Sequence, residues 1–317
     1  MGKLGGLYKR YKNICEQQKR NALHQIRFYD FWSQEVTDMW FYRFIQSRQL
    51  MKDSSKKVCF FSTFGGRDTI GKVSGDVNVF FTGENLKNGR HKLFADHLLS
   101  DERLNLALGF ERFEDERYIR FPLWLQYMFE PECREEEIIK KCAELNRPFV
   151  GERKKFACHV SSVDELGLRK TMCAQFTTIG RVDCAGKLLH NCDDLWDVYG
   201  NDKRSFLANY KFNICPENSN ADGYVTEKVF QAVDAGCVPI YWGDYNHPEP
   251  KVLNQDAILL WDKEGDNSAL LDFVRRLSES SSLFEDFSSQ DRLLPTAAEF
   301  VVDKFYRLES ALKELLR

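Results

Sequence analysis

One segment limits what this chain can fold into more than any other: Tyr210 to Gly243, YKFNICPENSNADGYVTEKVFQAVDAGCVPIYWG. An apolar stretch ends in a loop of Asn, Asp and Gly, and Thr226 stands where a helix N-cap belongs. Val229, Phe230, Ala232, Val233 and Ala235 fall on one helical face, and Gly236 stops the helix before a second apolar stretch. This is a β-loop-α-β unit. Its helix N-terminus points at the crevice beyond the strand ends, where unpaired N–H groups and the positive dipole end attract a phosphate. Lys228, in the first turn, opposes that dipole by roughly 0.3–1 kcal/mol unless an anion lies beside it. Glu227 suits the dipole and could accept hydrogen bonds from two ribose hydroxyls. On spacing alone, a well-capped helix with a solvated Glu-Lys pair stands level with the phosphate reading. The chain has no GxGxxG and no GxxxxGK[ST], so neither a dinucleotide fold nor a P-loop is supported.

The rest of the chain repeats the alternation. Apolar runs at Val58–Phe64, Val77–Thr82 and Tyr118–Leu125 predict strands, as do Lys155–Val160, Tyr210–Cys215, Cys237–Trp242 and Ala257–Trp261. Helical stretches at Asp164–Ile179, Lys203–Asn209, Glu227–Ala235 and Ala269–Ser278 fall between the later strands, which argues an α/β fold with a parallel sheet. Pro131 to Asn146 predicts an amphipathic connecting helix, and Ala297 to Leu316 a terminal helix packing back on the body. At 317 residues two domains are expected. We place an N-terminal α/β domain over 1–150, a nucleotide-binding domain over 151–296 and the closing helix over 297–317, with the boundary near Arg147-Pro148.

Charge and cysteine usage narrow the functions. A net charge of −3 disfavours nucleic acid as a partner. No apolar run approaches the roughly 18–20 residues of a membrane span, and the charged N-terminus lacks a signal-peptide core, so a cytoplasmic chain is expected. Lys3, Lys9, Arg10, Lys12, Lys19, Arg20 and Arg27 against Glu16 form a basic cap over residues 1–27. It is a candidate for peripheral contact with an anionic membrane face, a solvated helix being the favoured reading. The ten cysteines include no CxxC and read as reduced packing residues rather than a zinc site.

Several motifs together then carry a resemblance. Glu217-Asn218-Ser219, Tyr224-Val225-Thr226-Glu227-Lys228 and Ala235-Gly236-Cys237-Val238-Pro239-Ile240-Tyr241-Trp242-Gly243 resemble the signature of the α-1,3/4-fucosyltransferases, glycosyltransferase family 10. Phe80-Phe81-Thr82-Gly83-Glu84-Asn85, Arg117 to Trp124, and Arg169 with Val182-Asp183-Cys184-Ala185-Gly186-Lys187 match in the family's order, covering roughly 57–262. The resemblance implies the GT-B architecture, two Rossmann-like domains facing across a cleft. It implies inverting transfer of L-fucose from GDP-fucose to a β-galactosyl-N-acetylglucosamine acceptor on an oligosaccharide or glycolipid, α-1,3 linkage favoured. Glu84 falls where the family places its general base, and Arg169 and Lys228 where it places cations on the pyrophosphate. Tyr224 and Glu227 fall where it contacts the nucleotide, and Glu217 and Asn218 belong to the same donor-side motif. Pro216, Gly223 and Asp256 to Leu259 depart from the family pattern and bear on the fucose-side loop.

The residues make chemical sense beside the resemblance. A sugar hydroxyl is a poor nucleophile, and an inverting displacement wants one carboxylate to take its proton, a task Glu84 could perform at the lip of a cleft. The departing diphosphate needs charge, which Arg169 and Lys228 supply; no DxD follows an apolar strand, so no metal or other cofactor is expected, Mn²⁺ or Mg²⁺ acting at most as a stimulant. The histidines form no HxxxH or HExxH, and no nucleophile elbow is present. Two alternatives stay open: a GT-B transferase using another nucleotide sugar, and a non-catalytic glycan-binding protein on the same fold.

Overall fold

The computed structural model describes residues 3–32, 35–147 and 153–317, without the side chains of residues 3–11 and 90. Lys3, Lys9 and Arg10 of the basic cap therefore lie outside the described side chains, as does Pro148 of the expected boundary. The chain divides into two compact units, Met1–Arg134 with Val301–Arg317, and Glu135–Phe300. The division falls ahead of the expected boundary, because the helix Glu135–Leu145 buries Ile138, Cys142 and Leu145 and Lys141 pairs with Asp234 at 2.7 Å within the second unit.

The first unit holds five parallel strands, β1 Ile26–Tyr29, β2 Val58–Phe61, β3 Val77–Phe81, β4 Leu106–Gly109 and β5 Tyr118–Arg120, in the spatial order β1-β2-β3-β4-β5. Every residue of β2 and β3 is buried, as expected of a parallel sheet covered on both faces. Tyr29, Phe61 and Phe80 pack one face with Ile70, Phe94 and Leu98. Elsewhere Phe60 stacks on Phe28 and Phe41 at 5.0 and 5.1 Å. Phe305 of the helix Ala297–Leu316 meets the rings of Trp40, Phe44 and Phe121.

The second unit also holds five parallel strands, β6 Lys155–His159, β7 Val182–Cys184, β8 Tyr210–Ile214, β9 Val238–Tyr241 and β10 Leu259–Leu260. Here the order is β10-β9-β8-β6-β7. The chain enters at β6, moves to β7 on one side, then returns to lay β8 on the other. The connections on either side of that reversal leave in opposite directions, and a crevice opens beyond the carboxyl ends of β6 and β8.

Some expected elements shrink. The run Tyr118–Leu125 is strand only to Arg120; Pro122 has no N–H for a ladder, and a short helix, Trp124–Met128, follows. Ala257–Trp261 contributes two strand residues after a 3₁₀ turn. The strands β1, β4 and β7, of three or four residues, are not predicted by apolar runs. The ten cysteines are free thiols, eight of them buried. No helix among the described residues is long and apolar enough to cross a membrane.

Candidate functional site

The order reversal in the second unit brings together residues far apart in sequence. The end of β6 contributes His159, Val160 and Ser161, and the end of β8 contributes Cys215 and Pro216. Arg169, Lys203 and Lys228 arrive from three different helices, and all line one small crevice.

Arg169 is buried in the first turn of the helix Leu168–Thr177. Its Nη1 donates to the Val163 carbonyl at 2.5 Å and its Nη2 to the Pro216 carbonyl at 3.3 Å, while its buried Nε finds no partner among the described residues. Burial pushes its pKa down, against the pull of Glu217 and Asp164. A guanidinium held this way, desolvated and with a donor unspent, is stabilised by an anion.

Glu217 organises the other side. Fully buried, it accepts from Thr226 N at 2.8 Å, Thr226 Oγ1 at 2.7 Å, Lys228 Nζ at 3.0 Å and Tyr241 Oη at 3.3 Å. Its work is to hold the start of the helix Glu227–Asp234. Thr226 does occupy the N-cap, but its side chain makes no capping bond: the hydroxyl donates to Glu217 and accepts from Lys228 Nζ at 2.7 Å. Burial disfavours the Lys228 charge, yet Glu217 and Glu227 outweigh it and hold the ammonium up at about 12. Glu217 and Thr226 take two of its three donors.

Glu227 lies 3.5 Å from Lys228 Nζ. Burial works against its charge, but Lys228 and Lys203 together pull its pKa below the usual value. Lys203, whose own pKa is lowered by burial, donates to Gln231 Oε1 at 2.6 Å. Asn218 and Tyr224 meet each other, Tyr224 Oη donating to Asn218 Oδ1 at 2.9 Å.

The departures from the family pattern have local reasons. Gly223 adopts φ +76°, which a residue with Cβ reaches only at a cost of about 1 kcal/mol or more, and its N–H donates to Asp244 Oδ1 at 2.5 Å. Cys215 N and Glu217 N both bond towards β9, to Ile240 and Trp242. By alternation Pro216 stands where its N–H would face β6, past the last β6–β8 pair, Cys158–Asn213, so the ring costs the ladder nothing. Only its carbonyl is used, by Arg169.

Glu84 lies in the first unit, on the loop leaving β3, so the structure brings six of the seven predicted residues into one unit and leaves Glu84 in the other. Thr82 Oγ1 accepts from Glu84 N at 3.0 Å and donates to Glu84 O at 3.1 Å. Asn85 Oδ1 accepts from Lys87 N at 2.9 Å. A Cβ on Gly83 would meet Leu123 Cδ2 at 2.9 Å, so a side chain beside the half-buried Glu84 would have to displace Leu123.

Three residues of the crevice escaped the sequence reading. Lys203 follows Asp202, the N-cap whose carboxylate takes Ser205 N; a cation there opposes the dipole, the same misfit that marked Lys228. His159 and Ser161 carried no such signal. A larger cavity of about 350 Å³ lies elsewhere in this unit, bounded by Glu144, Arg147, Arg204 and Val233 to Gly236. It sits at the carboxyl end of the helix Glu227–Asp234, where the dipole repels anions, and its Asp234 is spent on Lys141 and Arg204.

Comparison with known proteins bears on the family and the fold. A model described as "Alpha-(1,3)-fucosyltransferase FucT N-terminal domain" matches residues 26–127, and one described as "Glycosyltransferase family 10 (fucosyltransferase) C-term" matches residues 150–301. The chain is 28% identical over 212 residues to the α-(1,3)-fucosyltransferase FucT of Helicobacter pylori, covering 59% of this chain and 41% of that protein. It is 29% identical over 103 residues to the α-(1,4)-fucosyltransferase of Arabidopsis thaliana, 32% of this chain and 24% of that one. It is 35% identical over 106 residues to GDP-fucose protein O-fucosyltransferase 3 of Danio rerio, 32% and 23% respectively. The chain thus spans less than half the length of these curated relatives. A crystal structure of an α1,3-fucosyltransferase with GDP-fucose superposes with TM-score 0.55 at 19% identity, covering 90% of this chain and 89% of that one; the fold is GT-B.

Proposed function

Because the chain belongs to glycosyltransferase family 10, the fucosyltransferases, we propose that it transfers L-fucose from GDP-fucose to an acceptor hydroxyl with inversion. The observation that carries the reading is the crevice at the β6–β8 reversal, where Arg169, Lys203 and Lys228 converge and the buried Arg169 Nε is unspent. Such a site suits a diphosphate. Glu227, kept anionic by Lys228 and Lys203, is the acceptor for ribose hydroxyls, and Tyr224 and Asn218 serve the same donor.

In the reaction the acceptor oxygen bonds to the anomeric carbon as the bond to the β-phosphate oxygen breaks. Glu84 takes the hydroxyl proton, a step worth roughly 10²–10⁴ in rate. The guanidinium and the two ammonium groups stabilise the charge growing on GDP. Those fixed cations perform the task a divalent ion performs elsewhere, so transfer proceeds without metal, and added Mn²⁺ or Mg²⁺ stimulates only by chelating released GDP.

The acceptor is a GlcNAc hydroxyl of a β-galactosyl-N-acetylglucosamine glycan in α-1,3 linkage. The relatives' names agree on fucose and differ in linkage and acceptor, which supports the donor further than the acceptor. The zebrafish protein favours a second reading, a polypeptide hydroxyl. Release of GDP from GDP-fucose should rise at least tenfold when the right acceptor is supplied from a panel of glycans and peptides. UDP- and GDP-mannose-type donors should be inert; turnover with one of those and not with GDP-fucose contradicts the proposal.

A further inference from the structure

The crevice contains a hydroxyl whose polarity is fixed from behind. The His159 ring is buried and bonded on both nitrogens: Nδ1 lies 2.7 Å from the Ile214 carbonyl and Nε2 lies 2.6 Å from Ser161 Oγ. A carbonyl oxygen only accepts, so Nδ1 carries the hydrogen. With Arg169 and Lys203 nearby, a third positive charge in the same buried place is disfavoured, and the ring is neutral. Nε2 is then a lone pair, and the Ser161 hydroxyl must donate to it. What Ser161 presents to the crevice is an oxygen with its proton already committed.

The position of that oxygen is enforced. Leu188 N donates to the Ser161 carbonyl at 3.0 Å, and a Cβ on Gly186 would meet that carbonyl oxygen at 2.1 Å and the Ser161 nitrogen at 2.6 Å. The loop after β7 therefore crosses directly over Ser161, which is possible only with glycine.

Resting on the donor reading above, we propose that Ser161 is a specificity-determining hydrogen-bond acceptor of the nucleotide site, held acceptor-only by His159. It recognises an O–H or N–H donor on the nucleoside, and leaves the phosphates to the cations: to serve a phosphate oxygen, the hydroxyl would have to abandon His159. The partner is a ribose hydroxyl or the exocyclic amine of guanine.

The test is calorimetric titration of wild type, Ser161→Ala and Ser161→Thr with GDP, 2′-deoxy-GDP, 3′-deoxy-GDP and inosine diphosphate, which lacks the exocyclic amine. Ser161→Ala should bind GDP about three- to tenfold more weakly, the worth of one neutral hydrogen bond. One analogue should show the same loss on wild type and no further loss on Ser161→Ala, which identifies the partner group. Ser161→Thr, which keeps the hydroxyl, should retain the wild-type order of ligands. Equal losses for all four ligands in Ser161→Ala, or no loss for GDP, would overturn the inference while leaving nucleotide binding intact. Failure of wild type itself to bind GDP would instead overturn the donor reading, and this inference with it.

Discussion

The two sheets have the same number of parallel strands and differ in one respect, the order in which the chain lays them down. In the first unit the strands follow one another, β1 to β5, without reversal. In the second the chain reverses between β7 and β8, and the cations gather at that reversal. A continuous order leaves each strand end flanked by the next connection, whereas a reversal parts two connections and exposes the backbone ends between them. On the proposed function this is a division of labour: the second unit would hold the donor's charge, and the first would present Glu84 on a loop, Thr82 to Lys87, held by its own side chains.

The sharpest way to break this comparison is at Glu84. Glu84→Gln should lower turnover by roughly 10²–10⁴ and leave GDP affinity within about twofold, since it belongs to the other unit. Steady-state rates with calorimetric GDP binding check both halves, and a parallel loss of binding would mean that the first unit also serves the donor. Arg169→Ala should come next, costing roughly 10² or more in turnover together with GDP affinity. Excess EDTA should cost wild type less than a few-fold. Abolition of activity by EDTA, restored by one ion, would replace the cationic account with a metal site.

These residues were not equally legible in the sequence, and the reason is distance along the chain. Tyr224 to Lys228 could be read because the helix start, the loop before it and the dipole misfit of Lys228 lie within a few residues. Arg169 and Glu84 emerged only through longer matching context; nothing in their local pattern distinguishes them from a helix-start cation or a turn carboxylate. His159, Ser161 and Lys203 reach the crevice because β6 and β8 become neighbours, with Cys158 beside Asn213, a pairing that no local periodicity encodes. The β7 strand escaped the sequence reading because Asp183 stands at its middle and leaves no apolar run. At Thr226 the pattern located the helix start correctly but misjudged its bonds, because Glu217, nine residues away, supplies the stronger acceptor.

A smaller effect sharpens the contrast through pH. Burial holds the His159 pKa down to about 4, below the ordinary value of about 6.5. The unfolded chain therefore takes up a proton that the folded chain resists. The stability is full above pH 6.5 and is lost as pH falls towards 4, by at most about 1.4 kcal/mol per pH unit. Denaturant titrations between pH 7 and 5 should show this slope in wild type and a shallower one in His159→Gln; identical slopes would mean that the ring is solvated in the folded chain.

The central claim is that the reversal in the second sheet forms a diphosphate site built from fixed cations. Its most direct test is titration of the wild-type chain with GDP, GMP and guanosine in EDTA. The account predicts that affinity falls at each lost phosphate, GDP exceeding guanosine by about 100-fold, as two or more charge-assisted contacts of roughly 1.5–3 kcal/mol each would give at partial strength. GDP and guanosine binding equally, or GDP binding only when a divalent ion is restored, would contradict it.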